Sequence, residues 1–209
     1  MICLPCSATF RGSLSSCGWR DDRAAQLVEF AVALPLLVLF VVGIFDFSNA
    51  FTFKQKLTNI ARDAARVAAA DPASDLRSPS TNAPASVIDA FQIVDNYLVA
   101  NKINDCGIQP SSSPSGLTWT STANGNGCPN PGLTLVINRG YYFSAAAAAQ
   151  PTLNCLAPQL AGPQTLVIAT CVSIQYPYQW RFRGIASILG ANTALPTTIT
   201  AAAVAMNEN

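Results

Sequence analysis

Seven cysteines are the first candidates for chemistry, and they fall into two groups. Cys3, Cys6 and Cys17 precede a long apolar run; Cys106, Cys128, Cys155 and Cys171 follow residue 100 in polar, loop-rich sequence. A tetrahedral metal site needs four ligands, and Cys3-x-x-Cys6 with Cys17 offers three. The chain has no histidine to complete the set. That absence also excludes Ser-His-Asp and Cys-His catalysis and a proximal haem histidine. No G-x-x-x-x-G-K-[ST] or G-x-G-x-x-G string cradles a phosphate. The 11 acids are scattered, with no paired carboxylates and no nucleophile beside a base. The expectation is therefore no catalytic residue, no metal, no cofactor and no enzyme. The four later cysteines are even in number, which suits an oxidising compartment and two disulfides. Free core thiols are the other reading. Four cysteines allow three connectivities; the local pairing, Cys106–Cys128 and Cys155–Cys171, is preferred because each bridge closes a loop-rich segment.

Two further patterns carry polar or aromatic function. Tyr176, Tyr178, Trp180 and Phe182 alternate, with Arg181 and Arg183 interleaved. Such a strip resembles a nucleic-acid or glycan surface, but packing at the end of a strand explains it more simply. Tyr141-Tyr142-Phe143 likewise reads as core. Net charge is +1, so there is no bulk electrostatic attraction to nucleic acid. Half the chain is apolar and only 11% is charged, a balance that suits an envelope or secreted protein better than a cytosolic enzyme.

The remaining candidate is Glu29, and the element that positions it decides its meaning. Phe30 to Phe45 reads FAVALPLLVLFVVGIF without a charge. As a helix this run spans about 24 Å, short of a hydrocarbon core of roughly 30 Å. Extension back to Ala24 reaches about 33 Å but takes in Gln26 and Glu29. An acid in that slab costs roughly 2.5–3.5 kcal/mol unless it finds a partner. A secretory signal peptide cut near Ser48-Asn49-Ala50 is one competing reading, and a plain signal anchor is another. Beyond Phe45, Phe53, Leu57, Ile60, Ala64 and Val67 keep one apolar stripe at helical period. No Pro or Gly interrupts residues 45–70, and Asp71-Pro72 supplies the stop. The pattern predicts one helix over about 24–70, apolar all round and then amphipathic, with Pro35 removing one backbone hydrogen bond.

The residues Ala25-Gln26-Leu27-Val28-Glu29-Phe30, Leu34-Pro35-Leu36-Leu37, Gly43-Ile44-Phe45-Asp46-Phe47 and Asn59-Ile60-Ala61-Arg62-Asp63-Ala64-Ala65-Arg66 together closely resemble the TadE-like family of tight-adherence pilus minor pilins, or pseudopilins. Val172-Ser173-Ile174-Gln175-Tyr176-Pro177-Tyr178 is similar to the family's strand ending in Y-P-Y. The resemblance implies a type IV pilin-like, membrane-anchored subunit of pilus assembly in cell adhesion or secretion. It implies cleavage by a prepilin peptidase between Ala24 and Ala25, where the family usually has Gly in the place of Ala24. Glu29 then becomes the fifth mature residue and Phe30 the sixth. Glu29 and Phe30 would serve recognition and assembly, with the new ammonium of a neighbouring pilin or pseudopilin subunit as partner for the carboxylate. The expected location is the inner (cytoplasmic) membrane, single-pass, with the N-terminus cytoplasmic and the C-terminal domain periplasmic or extracellular. The rival is a signal-anchored or secreted binding domain with no pilus role.

The expected organisation is a cytoplasmic leader over 1–24, a transmembrane and amphipathic helix over 25–71, and an extracytoplasmic α+β domain over 72–209. Asp71 to Ala85 reads as linker. A helix is expected from Ser86, capped with help from Asp89, to about Lys102, on the stripe Val87, Phe91, Val94 and Leu98. Residues 107–132 read as one long loop. Strands are expected over Leu133–Asn138 and Thr165–Gln175. Ala145–Ala149 suggests a helical turn, and Ile185–Leu189 an apolar patch. Propensity leaves Thr197–Met206 open between helix and strand; the resemblance implies a strand paired with 165–175. The fold class is thus α+β: the long helix and a second helix on a small antiparallel sheet.

Overall fold

A computed structural model describes residues 22–76, 83–111, 114–144, 154–156, 166–181 and 196–207. Cys3, Cys6, Cys17, Ala145–Ala149, Phe182, Arg183 and Ile185–Leu189 lie outside them. The first helix, α1, runs Asp22–Ala70 without a break at Pro35. It ends where Asp71-Pro72 disfavours further helix, and a 3-10 turn follows at Ala73–Leu76. The second helix, α2, spans Ala85–Ala100. Four strands follow: β1 Thr118–Ala123, β2 Leu133–Ser144, β3 Leu166–Pro177 and β4 Thr198–Met206. They form one antiparallel sheet in the order β1-β2-β3-β4. The α+β class holds, and the open segment Thr197–Met206 resolves as a strand paired with β3.

Residues up to Val41 and residues from Val42 onward form two separately compact units. In the first, the described α1 side chains from Ala25 to Val38 are all exposed. In the second, Leu57, Ile60, Ala61, Ala64, Ala65 and Ala68 of α1 are buried. They share a core with Val87, Phe91, Val94 and Leu98 of α2 and with alternate residues of the strands, among them Trp119, Leu135, Ile137, Val172, Ile174 and Ala201. The predicted stripe is thus the buried face, with one adjustment. Its centre drifts toward Ala61, Ala65 and Ala68, leaving Phe53 and Val67 half-buried. Small alanines let the helix backbone approach the core closely, which an apolar-bulk count along the helix undervalues.

Three local expectations need correction. The α2 start is one residue earlier than expected, and no side chain caps it. Pro84 stands at the cap, and its carbonyl accepts from the amides of Val87 and Ile88. Ser86 is buried instead of capping, so the Ser86/Asp89 box does not form. The segment 107–132 is not one loop, because β1 lies inside it. Its Thr and Ser residues resemble loop composition, while Trp119 and Ser121 face inward. Third, β2 reaches Ser144 by way of a register shift between Asn138 and Tyr141. This bulge turns Tyr141 and Phe143 away from the main core into a second cluster with Cys155, Ala169 and Cys171.

Candidate functional site

The predicted recognition residues lie on the first turns of α1. Ala24 and Ala25 are helical, and Ala25, Glu29 and Phe30 are exposed. Ala25 and Glu29 are four residues apart, so they lie on one helix face. Around Glu29 the exposed surface is apolar: Leu27, Val28, Val32, Leu36 and Leu37 are each at least 60% exposed. Among the described residues this helix is the one long and apolar enough to cross a membrane, with mean hydropathy 2.7 over its best 18 residues. Contiguous aliphatic surface of this kind marks a site of contact with a membrane or another protein.

The second unit holds a cluster that joins α1 to the end of β3. Asp46 is 3% exposed. The Tyr178 hydroxyl lies 3.5 Å from both the Asp46 backbone carbonyl and Oδ1, donating across the edge of hydrogen-bond range. Burial pushes the Tyr178 phenol above its ordinary value, and the neighbouring Asp46 carboxylate adds to the rise; Arg181 works against it. Phe53 stacks edge-on against Tyr176 at 5.0 Å and lies 6.0 Å from Tyr178. Trp180 meets Tyr178 at 5.1 Å and Phe47 at 5.2 Å. Offset and tilted pairs of this kind each add about 0.5–1.5 kcal/mol beyond their burial. Tyr176, Tyr178 and Trp180 therefore do pack at a strand end, and what they pack on is α1. Asp46, quoted in the sequence only as part of a motif, is the polar centre of that contact.

The four later cysteines are at disulfide distance in the local pairing. The Cα atoms of Cys106 and Cys128 are 5.2 Å apart, and those of Cys155 and Cys171 are 5.5 Å apart. The first pair ties the segment after α2 to the turn before β2; the second ties residue 155 to β3. Among the described residues no group of three or more Cys, Asp or Glu can hold a metal ion.

One structural group was not singled out in the sequence. Arg139, in the β2 bulge, is 1% exposed. Its guanidinium donates to the Ala68 carbonyl, to Asp71 O at 3.0 Å and to Thr170 Oγ1 at 3.0 Å. A cation at the helix C-terminus satisfies carbonyls that have no partner within the helix and complements its dipole. The signal was present as a lone cation inside an apolar strand, followed by Gly140. A Cβ on Gly140 would come within 2.9 Å of the Leu117 side chain.

Residues 24–66 match the family model described as TadE-like protein. Comparison with curated proteins and with solved structures gives no match. The matched stretch holds Glu29 and its apolar surroundings, Asp46 at the aromatic contact, and most of the buried stripe down to Ala65. Within the helix that bears both candidate features, residues 24–66 are thus similar to the TadE-like family.

Proposed function

We propose that the chain is a minor pilin (pseudopilin) or assembly subunit of a bacterial tight-adherence (Flp-type) pilus, and not an enzyme. The observation that carries this reading is Glu29 on a bare aliphatic helix inside the TadE-like match. A carboxylate in lipid needs a partner, and side-by-side packing of identical helices brings one within reach. Prepilin peptidase cuts between Ala24 and Ala25. The ammonium so created sits one helical turn before Glu29 on the same face, so packed helices present each carboxylate with a neighbour's ammonium beside its own. The helix holds the subunit in the cytoplasmic membrane with its N-terminus inside. The cysteine-paired α+β unit lies outside, where thiols oxidise.

Two measurements test this. Intact mass of the membrane form should correspond to a chain beginning at Ala25. A chain beginning at Met1, or at Phe51 after secretory cleavage, removes the reading. Glu29→Ala should insert into membranes as well as the wild type, since it removes a costly charge, yet fail to co-purify with pilus subunits. Undiminished co-purification would end the inter-subunit role.

A further inference from the structure

Strand β4 closes the sheet order, and among the described residues nothing pairs with its other side. Its ladder to β3 runs without a shift from Thr198 opposite Pro177 to Met206 opposite Ala169. At its two ends the Tyr178 amide donates to Thr197 O at 2.9 Å and the Asn207 amide to Ile168 O at 3.3 Å. Alternate residues of an antiparallel pair exchange such bonds. In this register Ile199, Ala201, Ala203 and Ala205 turn their backbone groups to β3. Thr198, Thr200, Ala202, Val204 and Met206 turn theirs to the open edge. Proteins usually guard such an edge with charge, proline, a bulge or a very short strand. β4 has nine residues with no charge, no proline and no bulge. The strand at the other edge, β1, has six residues.

A cleft of about 390 Å³ adjoins the start of β4. It is lined by Thr198, Ile199 and Thr200, by Phe47, Phe51 and Lys54 of α1, and by Trp180. No residue of β1, β2 or β3 lines it. Successive side chains of a strand point to opposite faces, so a cleft that touches all three β4 residues reaches the edge of the strand. An unpaired edge and a helix thus border one groove, and all these residues belong to the unit from Val42 onward. Trp180 is fixed there by its Nε1, which donates to Pro196 O at 2.6 Å, and by its contact with Phe47.

Charge and shape select the occupant. Phe47 and Phe51 are 59% and 64% exposed, an aromatic surface without a partner side chain over most of its area. Lys54 is exposed and is the one ionisable group on the lining. The chain has no acid from Phe47 to Arg62 or from Cys106 to Asn207. A second β4 fits poorly. Beyond Ile199 it offers only alanines on its helix-facing side, and it carries no acid for Lys54.

We infer that the open edge of β4 and this cleft take an extended segment of a partner protein as an added strand. A large apolar side chain of that segment enters between Phe47, Phe51 and Trp180, and an acidic one meets Lys54. Main-chain bonds to the outward groups of Thr198 and Thr200 supply affinity, and the cleft supplies sequence preference. The site uses neither Glu29 nor the bare half of α1, so it stands apart from the assembly role.

The test titrates the full chain in mild detergent against a short fluorescein-labelled peptide, read by anisotropy. The peptide carries valine, phenylalanine and aspartate at alternate positions, with threonine between them and at both ends. Saturable binding is expected, and its absence overturns the inference. Two more peptides carry N-methyl groups on alternate amides, one on the threonines and the other on the intervening residues. A paired strand turns only one of these sets toward β4. One peptide should therefore lose at least about tenfold in affinity while the other keeps it. Equal affinities would mean capture of side chains alone and would overturn strand addition. Exchanging the aspartate for lysine should weaken binding about threefold, and Lys54→Glu should reverse that preference. A preference unmoved by Lys54→Glu removes the cleft from the site. Thr200→Pro takes away one outward amide at a position where an edge strand tolerates proline, and it should abolish binding. Should that variant melt early, the two N-methylated peptides decide the matter on the wild type. Light scattering of the chain alone is the last arm: self-association abolished by Thr200→Pro would give the edge to a second copy and overturn the inference.

Discussion

At the scale of single residues, the buried charge matters most. Arg139 satisfies one backbone carbonyl in the last turn of α1, one just past its end, and one hydroxyl on β3. Arg139→Met keeps the bulk but leaves those acceptors in a dry environment. Each buried acceptor left unsatisfied costs about 1–3 kcal/mol, so a loss of at least about 3 kcal/mol is expected in urea melts of the disulfide-intact protein. Asp95 is a milder case with a usable sign. Its Oδ1 is buried without a hydrogen-bond partner among the described residues. Burial raises its carboxyl pKa above 3.8, and Asp105 adds to the rise. An acid whose folded pKa is raised binds its proton more tightly when folded. Its contribution to stability is therefore lost as pH rises from 3.8 through that folded value. Asp95→Asn should melt higher than the wild type at pH 7, and the difference should close as pH falls below 3.8. A constant difference across pH would point to packing instead of charge.

At the scale of elements, the amphipathic half of α1 is the piece on which the second unit depends. A helix gains little from propensity and depends on burying its apolar face. Leu57 is completely buried, so Leu57→Asp should cost several kcal/mol and abolish the cooperative melt. Gln55→Asp, two residues away on the exposed side, should change stability by no more than about 0.5 kcal/mol. Much of this element was legible, because helical period, the absence of Gly and Pro, and the Asp71-Pro72 stop all point the same way. The finer assignment of the face was less so. Ala61, Ala65 and Ala68 are fully buried but contribute little to an apolar pattern. β1 escaped notice because a six-residue strand of Thr, Ser and Ala around the single Trp119 reads like the loops beside it. The contact between Asp46 and Tyr178 was illegible for a different reason: the two residues are 132 positions apart. Nothing local in either segment specifies the other.

At the scale of the whole molecule, covalent ties compensate for a modest core. The two cysteine pairs close segments of 22 and 16 residues. Chain-entropy reasoning assigns each closure about 3 kcal/mol. Reduction should therefore lower the denaturant midpoint substantially, and Cys155→Ser/Cys171→Ser should recover about half of that loss in sensitivity to reductant. Non-reducing peptide mapping should return Cys106 linked to Cys128 and Cys155 to Cys171. Crossed linkages would contradict the fold, because the second pair lies in the cluster behind the β2 bulge while Cys106 belongs to the main core.

The order in which the core is completed has a consequence for how the protein is made. Leu57 and Ile60 leave the ribosome early, yet they share a core with Val172 and Ile174 on β3 and with Ala201 and Ala203 on the last strand. At about 5–20 residues per second, roughly 7–30 s of synthesis separate the helix from that strand. Throughout that interval the stripe has no sheet to cover it. The nascent chain is then a long greasy helix with a sticky tail, and it needs a holding factor or a membrane surface until Thr198–Met206 arrives. A chain stopped at Thr197 would never leave that state, and it should accumulate in aggregates or be degraded while the complete chain matures.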